Sequence, residues 1–466
     1  MAIHFDKIPA FGYKILYLIS QDGTPSIQSL NPIGLPDPVR GKGVEVSFNP
    51  DGSINLHDLE QGINYENLNV FEDGADDGDE YDYAPLPEEE KIYSTTKEAD
   101  YNLVKDNSVF TEIQAKIALE VPYELIGDLN STRVRSKDKV SLKIKTSYKI
   151  YKSLKRVDIS TDVVNKAKGH RLRALFPTGI SATHSYADDH FIVMERTIEK
   201  PRDDGWYQNM QSLYHQDTFV DITSNEQSVG EGLEKSAKKQ EGHGLAIFNK
   251  GLCEYEIIET PAQMSNNPSQ QTKTHTIALT LFRSVAWLSQ RGHLGRKSGL
   301  NGPNLQTPGA QMMDHEFHFE YSIFAHQGDW VSGRVYHSAH AYNSPPRLMN
   351  SDHKLRNEVL NVDIPLERSF LQIFNPNIVL SSFKRSHRIG NAKDGIILRV
   401  FNPCSTNQDT GIGLGFGVKR VFETDLLEKD CSEVPIEKDE NEEFSHLLHL
   451  NIPEHKILTL RIEVDE

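Results

Sequence analysis

The chain has 466 residues, which is more than one ordinary domain holds and predicts two or three domains. It carries 67 acidic and 50 basic residues, for a net charge of −17. Such an acidic surface repels a polyanion at long range, so nucleic acid is disfavoured as a partner and small or neutral ligands are favoured.

The cysteines and the hydropathy pattern favour a cytoplasmic protein. Cys253, Cys404 and Cys431 are too few and too scattered for a disulfide framework or a zinc knuckle, so we expect reduced thiols in a cytoplasmic protein. The sequence shows no secretory signal, and no stretch approaches the ~20 apolar residues that span a bilayer. We therefore expect a soluble chain without membrane contact.

Strand signals dominate the chain from its first elements to its last. VEVSF (44–48), HEFHFEYSIF (315–324) and KILTLRIEV (456–464) all alternate apolar with polar residues. Helical periodicity shows only briefly, around FRSVAWLSQRG (282–292). Strands without regular intervening helices predict antiparallel sheets packed face to face, so the predicted fold class is all-β.

Breaks in this pattern predict three parts. Residues 1–41 contain the strand signal FGYKILYLIS and a linker rich in proline and glycine, which indicates the terminal strands of a small β domain. Residues 42–365 form a long strand-rich region, and a new series of strands over 366–466 predicts a separate C-terminal β-sandwich.

FEDGADDGDEYDYAPLPEEE, residues 71–90, holds ten carboxylates, two glycines and two tyrosines. It is a candidate for a disordered acidic linker, a metal-binding loop, or a shaped loop that presents tyrosines to a ligand. Its acid spacing departs from the EF-hand pattern, which disfavours calcium.

Other metal candidates are weak. HEFH (315–318) lies on a strand with a period of two, whereas the zinc-protease motif needs two histidines four apart on a helix. Glu316, His318 and Glu320 share a strand face, for which a hydrated polar surface is the favoured interpretation. The triplets His4-Phe-Asp6 and His215-Gln-Asp217 resemble zinc half-sites, but no second pair is arranged to complete either. We predict no metal site in this chain.

Two further stretches favour structural roles. GIGLGFG (411–417) lacks the strand–helix context of a dinucleotide fingerprint, so its glycines predict a flat face on which a backbone or a large side chain packs. The basic stretch 133–156 alternates lysines with Leu142, Ile144, Tyr148 and Ile150, which predicts a strand with a hydrated outer face rather than a nucleic-acid site.

Several phrases, taken together, resemble one family of enzymes. In order, they are VEVSFNPDGSINLHDLEQG with FEDGADDGDEYDYAP, GHRLRALFPTGI, HQDTFVDIT, GLAIFNKGLCEYEI, TIALTLFRSVAWLSQRG and TPGAQ. They are similar to the C-terminal region of family 38 glycoside hydrolases, the class II α-mannosidases. The resemblance continues to KILTLRIEV and covers essentially the whole chain. It is strongest to the compact bacterial subgroup, which includes mannosylglycerate hydrolases.

The resemblance implies a large antiparallel supersandwich of galactose mutarotase-like type, followed by a smaller β-sandwich. It also implies that an N-terminal α/β catalytic domain carries the zinc, the nucleophile and the acid/base. No such domain precedes IPAFGYK, so we expect the C-terminal portion of a zinc-dependent retaining α-mannosidase, with no catalytic residue and no cofactor in this chain. The implied partners are that catalytic domain, a mannoside substrate and further copies of the chain.

The same resemblance implies the site residues. GDEYDYAP is similar to the family's loop whose tyrosine reaches the bound sugar, which points to Tyr81, with Asp79 and Tyr83 as further substrate-binding residues. Asp79 and Glu80 stand where other members of the family have Gly-Ala. This difference leaves open that the two acids contact a different aglycone. A purely structural loop also stays open.

Two alternative functions remain at this stage. The chain could be a non-catalytic carbohydrate-binding or scaffold β-sandwich protein, with Trp206, Tyr207 and Trp330 as its aromatic platform. It could also be another sugar enzyme of mutarotase-like fold, which would need a His/Glu pair that the sequence does not identify.

Overall fold

The structure is a computed structural model. The residues that it describes are 8–16, 31–87, 89–128, 133–200, 211–224, 242–264, 273–290, 304–349, 365–387, 394–441 and 443–465. The chain divides into two compact units, one from Ile27–Asp188 with Met194–Val335 and the other from Met1–Ser26, Asp189–Val193 and Tyr336–Glu466. The predicted division into three parts stays a prediction.

The first strands, in chain order, are β1 (Gly12–Lys14), β2 (Asn31–Ile33), β3 (Val39–Arg40), β4 (Val44–Phe48), β5 (Ile54–Asp58), β6 (Ile63–Leu68), β7 (Val70–Ala75), β8 (Ile92–Tyr93), β9 (Asp100–Asp106), β10 (Phe110–Pro122), β11 (Leu125–Ile126), β12 (Val134–Arg135), β13 (Lys139–Tyr151), β14 (Arg156–Val164), β15 (His170–Pro177), β16 (His184–Asp189), β17 (Ile192–Thr197) and β18 (Leu213–His215).

The later strands are β19 (Phe219–Thr223), β20 (His243–Asn249), β21 (Glu254–Glu259), β22 (His275–Ser284), β23 (Trp287–Ser289), β24 (Leu305–Gln306), β25 (Glu316–Gln327), β26 (Glu367–Ser369), β27 (Leu371–Ile373), β28 (Val379–Arg385), β29 (Ile396–Phe401), β30 (Gln408–Leu414), β31 (Val418–Thr424), β32 (Asp430–Val434), β33 (Glu437–Lys438), β34 (His446–Ile452) and β35 (Ile457–Val464). The helical segments are α1 (Val335–Asn343) and the 3₁₀ turns Ser94–Thr96, Ala262–Met264 and Pro308–Gln311.

The larger unit is built on three sheets. Ten strands run in the order β17-β16-β19-β20-β25-β14-β13-β10-β9-β2, six in the order β18-β21-β22-β15-β7-β8, and four in the order β3-β4-β5-β6. One apolar cluster joins the three sheets, with Leu56 from the small sheet, Ile144 and Ile323 from the large one, and Leu172 and Leu279 from the six-stranded one. These side chains meet because alternate residues of each strand point to the same face.

The second unit contains a β-sandwich of its own. A five-stranded sheet in the order β28-β29-β35-β31-β32 and a four-stranded sheet in the order β27-β30-β34-β33 contribute to one apolar cluster. Leu398 and Leu460 come from the first sheet, and Ile412 and Leu448 from the second. The short strand β1 pairs with β26, so the residues around Gly12 belong to this unit.

The observed architecture confirms the predicted all-β fold class, with 54% of the described residues in strands and 5% in helices. HEFHFEYSIF, the basic stretch around Ile144 and KILTLRIEV are strands, as predicted. For the segment 282–292, the helical interpretation is wrong over the described residues 282–290, because Phe282–Ser284 end β22 and Trp287–Ser289 form β23. Among the described residues, no helix is both long and apolar enough to cross a bilayer.

Candidate functional site

The acidic stretch is an ordered loop that leaves the six-stranded sheet at the end of β7. Its backbone folds on itself, because Asp77 N donates to Ala84 O at 2.8 Å and Asp79 N donates to Asp82 O at 3.0 Å. We call residues 76–84 the acidic loop. The hypothesis of a disordered linker is therefore wrong, and the loop has a defined shape.

Asp79 shapes the tip of this loop from within. Its side chain is fully buried, and its Oδ1 accepts hydrogen bonds from the amides of Tyr81 at 3.0 Å and Asp82 at 2.9 Å. Its Oδ2 accepts from the amide of Gln290 at 2.9 Å. A carboxylate used in this way fixes a turn. The expected contact between Asp79 and substrate stays a prediction, and this burial favours a positioning role.

Arg283 fastens the loop to the sheet. Its Nε and Nη2 donate to the two carboxylate oxygens of Asp76, at 2.6 and 3.1 Å. Its Nη2 also donates to the carbonyl oxygens of Asp79 at 2.8 Å and Asp82 at 2.9 Å. The planar guanidinium suits a bidentate contact of this kind. Burial alone would lower the pKa of Arg283, but the neighbouring Asp76 carboxylate outweighs this effect and raises it.

The two tyrosines of the loop have opposite environments. Tyr81 is 67% exposed, at the tip, whereas Tyr83 is 6% exposed. The guanidinium of Arg171 lies over the ring of Tyr83 at 3.5 Å from the ring centroid, a cation–π contact. Burial raises the pKa of Tyr83 to about 12. The loop thus presents Tyr81 outward and uses Tyr83 as an internal support.

A buried layer of charges lies on the same sheet. Arg173 is fully buried, and its Nε donates to Glu72 Oε1 at 2.8 Å while its Nη1 donates to Glu256 Oε2 at 2.6 Å. Burial alone would raise the pKa of both carboxyls, but the Arg173 guanidinium outweighs it and holds each below its usual range. Both acids are therefore ionised and paired at neutral pH.

A small cleft of about 80 Å³ opens beside the acidic loop. Its walls include Asp76, Glu124, Arg133, Lys168 and Trp287, so two cations and two carboxylates line it, of which Asp76 is buried. Trp287 connects the cleft to the loop, since its carbonyl accepts the amide of Glu80 at 2.9 Å.

The acidic loop and the polar face of β25 fit a metal site poorly. The carboxylate of Asp76 meets a guanidinium, which would repel a cation, and both oxygens of Asp79 accept backbone amides. His318 lies 60% exposed against Asp162, and Glu320 pairs with Lys250, as a hydrated polar face predicts. The expectation that zinc belongs to a separate catalytic domain stays a prediction.

The remaining candidates are placed as follows. His215 and Asp217 form an exposed pair, Nε2 to Oδ1 at 3.0 Å. Trp330 is 9% exposed, so it offers no open platform for sugar. His4, Asp6, Trp206 and Tyr207 lie outside the described residues.

The sequence interpretation missed the arginines that hold the loop. Arg171 and Arg173 alternate inside the apolar run HRLRALFP, and Arg283 ends the run HTIALTLFR. An arginine within a strand otherwise made of buried residues must find an acid, because an unpaired buried charge is very costly. The sequence therefore predicts that these arginines have acidic partners, although it does not identify which of the 67 acids pairs with each.

Two family profiles match the chain. "Glycosyl hydrolases family 38 C-terminal domain" matches residues 41–288, and "Glycosyl hydrolases family 38 C-terminal beta sandwich domain" matches residues 377–460. A curated relative from Halalkalibacterium halodurans, described as a "putative mannosylglycerate hydrolase", is 23% identical over 472 residues, which are 98% of this chain and 45% of the relative.

Two solved structures share the fold. An alpha-mannosidase from Enterococcus faecalis V583 superposes with a TM-score of 0.72 at 22% identity, over 96% of this chain and 44% of its own. A family 38 glycosyl hydrolase from Enterococcus faecalis gives 0.70 at 21% identity, over 96% of this chain and 46% of its own. The chain thus spans less than half the length of these relatives.

Proposed function

The chain belongs to glycosyl hydrolase family 38, and we propose that it forms the C-terminal β portion of a zinc-dependent, retaining α-mannosidase. The groups that break the glycosidic bond then lie on an N-terminal α/β catalytic domain of the same enzyme. The match of the family's C-terminal profile to more than half of the chain supports this proposal, as does the fold shared with the Enterococcus mannosidase.

The observation that carries the proposal is the construction of the acidic loop. Two buried carboxylates, those of Asp76 and Asp79, and the partly buried Arg283 hold a nine-residue turn whose tip carries one exposed aromatic residue, Tyr81. Aromatic residues held rigidly on a protein surface are typical of ligand contacts. In our proposal Tyr81 reaches the mannose in the pocket of the catalytic domain, and the chain completes the wall of that pocket.

In this proposal, the residues of this chain bind and orient the sugar, and those of the catalytic domain break the glycosidic bond. Tyr81 supplies a ring that packs on the sugar and a hydroxyl that hydrogen-bonds to it, while Asp79 and Arg283 hold the backbone of the loop that carries Tyr81. When bound, zinc in the catalytic domain would supply a positive charge that orients the sugar hydroxyls. A retaining reaction would use a carboxylate nucleophile and a carboxylic acid of that domain.

Kinetics of the assembled enzyme test the role of Tyr81. In the chain combined with its catalytic domain, Tyr81→Phe should lower kcat/KM for an aryl α-mannoside about tenfold, because one hydrogen bond to the sugar is lost. Tyr81→Ala should lower it further, since the ring is lost as well. Leu427→Ala, a change at an 86% exposed position, serves as the control. Unchanged kinetics in both tyrosine variants would remove Tyr81 from the site.

A further inference from the structure

The outer face of the four-stranded sheet in the C-terminal sandwich carries an open groove of about 450 Å³. It lies on β30 and β34, where Asp409 pairs with Asn451 and Gly411 pairs with His449. These four residues point outward, because Ile412 and Leu448 on the same strands are buried in the sandwich core. We call this depression the Gly411 groove.

A glycine and a phenylalanine give the groove its form. A Cβ atom at Gly411 would lie only 2.9 Å from the ring of Phe374, so the ring rests directly on the glycine. The amide of Phe374 donates to Gly411 O at 3.0 Å, which fixes the backbone beneath the ring. Phe444 occupies the same position over Gly413 and meets Phe374 edge-on, with ring centroids 5.9 Å apart.

This packing keeps an aromatic surface open to solvent. Phe374 is 46% exposed although it is held from two sides, whereas Phe444 is 6% exposed. The prediction that the glycines of GIGLGFG form a face for a large side chain is thus confirmed at Gly411 and Gly413. A ring held in this way loses little conformational entropy when a ligand packs on it.

Polar groups line the groove beside the ring. Asn451 Nδ2 donates to Asp409 Oδ1 at 2.7 Å, so an amide and a carboxylate are held side by side. Asn375 Nδ2 donates to the carbonyl oxygen of Asp409 at 2.8 Å and ties this pair to the segment that carries Phe374. His449 is exposed, with Nε2 at 3.8 Å from Glu437 Oε2.

From this arrangement we infer that the Gly411 groove binds one unit of a neutral carbohydrate. A pyranose has a face of C–H groups that packs on an aromatic ring, and a rim of hydroxyls that both donate and accept hydrogen bonds. Phe374, which adjoins the groove because its ring rests on Gly411, matches the first, and the Asp409–Asn451 pair with His449 matches the second. The volume falls within the range of about 300–1,000 Å³ that is usual for small-molecule sites.

The charges of the groove exclude other classes of ligand. Asp409 in the groove and Glu437 beside His449 are acidic, and the chain carries a net charge of −17, so a phosphate or another anion is repelled. The lining is too polar for a lipid tail. Because the groove is open, we expect affinity in the millimolar range, as suits a contact that holds a longer saccharide near the enzyme. This inference does not rest on the proposed α-mannosidase function.

Calorimetric titration of the full chain tests the groove. Mannotriose and cellotriose serve as neutral probes and mannose 6-phosphate as the anionic one. We expect saturable binding of at least one trisaccharide and weaker binding of the phosphate. In Phe374→Ala the affinity should fall about tenfold, the equivalent of ~1.4 kcal/mol, and Phe374→Trp should keep it. Asn451→Ala should also weaken binding.

Phe370→Ala is the matched control, since it removes a phenylalanine of 36% exposure that packs against Tyr13 and not on Gly411. It should leave the affinity unchanged, and thermal unfolding of each variant checks that the sandwich is intact. The inference is overturned if neither trisaccharide gives saturable heat, or if the phosphate binds more tightly than both. It is also overturned if Phe374→Ala and Asn451→Ala, both folded, bind as the wild type does.

Discussion

Replacing Arg283 with alanine removes the group that fastens the acidic loop. The change deletes both bonds to the carboxylate of Asp76 and the bonds to the carbonyl oxygens of Asp79 and Asp82. It leaves the Asp76 side chain, which is fully buried, without its counter-ion. Removing one partner of a buried pair costs about 3–5 kcal/mol, so we expect a loss of stability in that range.

The assay should separate the loop from the rest of the molecule. Urea unfolding gives the total cost, while hydrogen exchange at the amides of Gly78, Asp82 and Ala84 reports on the loop itself, because each donates to a buried carboxylate. These amides should lose protection more than those in the core strands. Arg283→Lys should show a smaller version of the effect, since it keeps the charge and loses the bidentate fork.

Two comparisons decide whether the reasoning holds. Arg420→Ala breaks a pair with Glu463 in which the arginine is 48% exposed, and it should cost no more than about 1 kcal/mol. Asp76→Asn combined with Arg283→Ala should cost less than the sum of the two single changes, with a coupling of up to about 3 kcal/mol. Additive costs, or an Arg283→Ala cost equal to that of Arg420→Ala, would refute the assigned role.

Further predictions concern stability. Tyr83→Ala should destabilise the chain by about 3–5 kcal/mol, because it empties a buried site under Arg171, whereas Tyr81→Ala should change the unfolding midpoint very little. Stability should also decline as the pH falls below about 6.5. Burial lowers the pKa of His275, whose Nδ1 accepts a hydrogen bond from the amide of Ala182. Below that pH the unfolded chain therefore binds a proton that the folded chain does not. His275→Asn should reduce that decline in pH-dependent denaturation, and an unchanged profile would contradict the assignment.

From the pairing of Glu72 with Arg173 we expect a second loss of folding stability, at more acidic pH. Its pKa is lowered in the folded chain by Arg173 against the effect of burial, so its stabilising contribution is present above the unfolded value of about 4.3. That contribution is lost as the pH falls through the lowered folded value. Glu72→Gln should therefore cost more stability at pH 7 than at pH 3, and equal costs would argue against the pairing.

Strand faces were predictable because alternation alone assigns them. Phe317, Phe319, Tyr321 and Ile323 line one face in the structure as in the sequence, and all four belong to the core or pack against it. The helix α1 was missed because it has only nine residues, and its buried stripe of Val335, Tyr336, Ala339 and Tyr342 is small and interrupted by polar residues. The false helical signal in this segment arose where β22 ends and the three-residue strand β23 begins.

The candidate site was only partly predictable. The sequence singled out Tyr81 through a resemblance of the loop, and the structure places that residue at an exposed tip. The anchor of the loop could not be found in the same way, because Asp76 and Arg283 are 207 positions apart. Which acid meets which arginine depends on the register of β7, β15 and β22, and that register is a property of the folded sheet.

An activity assay on the 466-residue chain alone shows whether the groups that break the glycosidic bond lie on this chain. With an aryl α-mannoside and added zinc, our account predicts no release of the aryl alcohol above background and no stoichiometric zinc bound, because the bond-breaking groups are assigned to another domain. Turnover that copurifies with the folded chain and disappears on removal of a bound metal would contradict it.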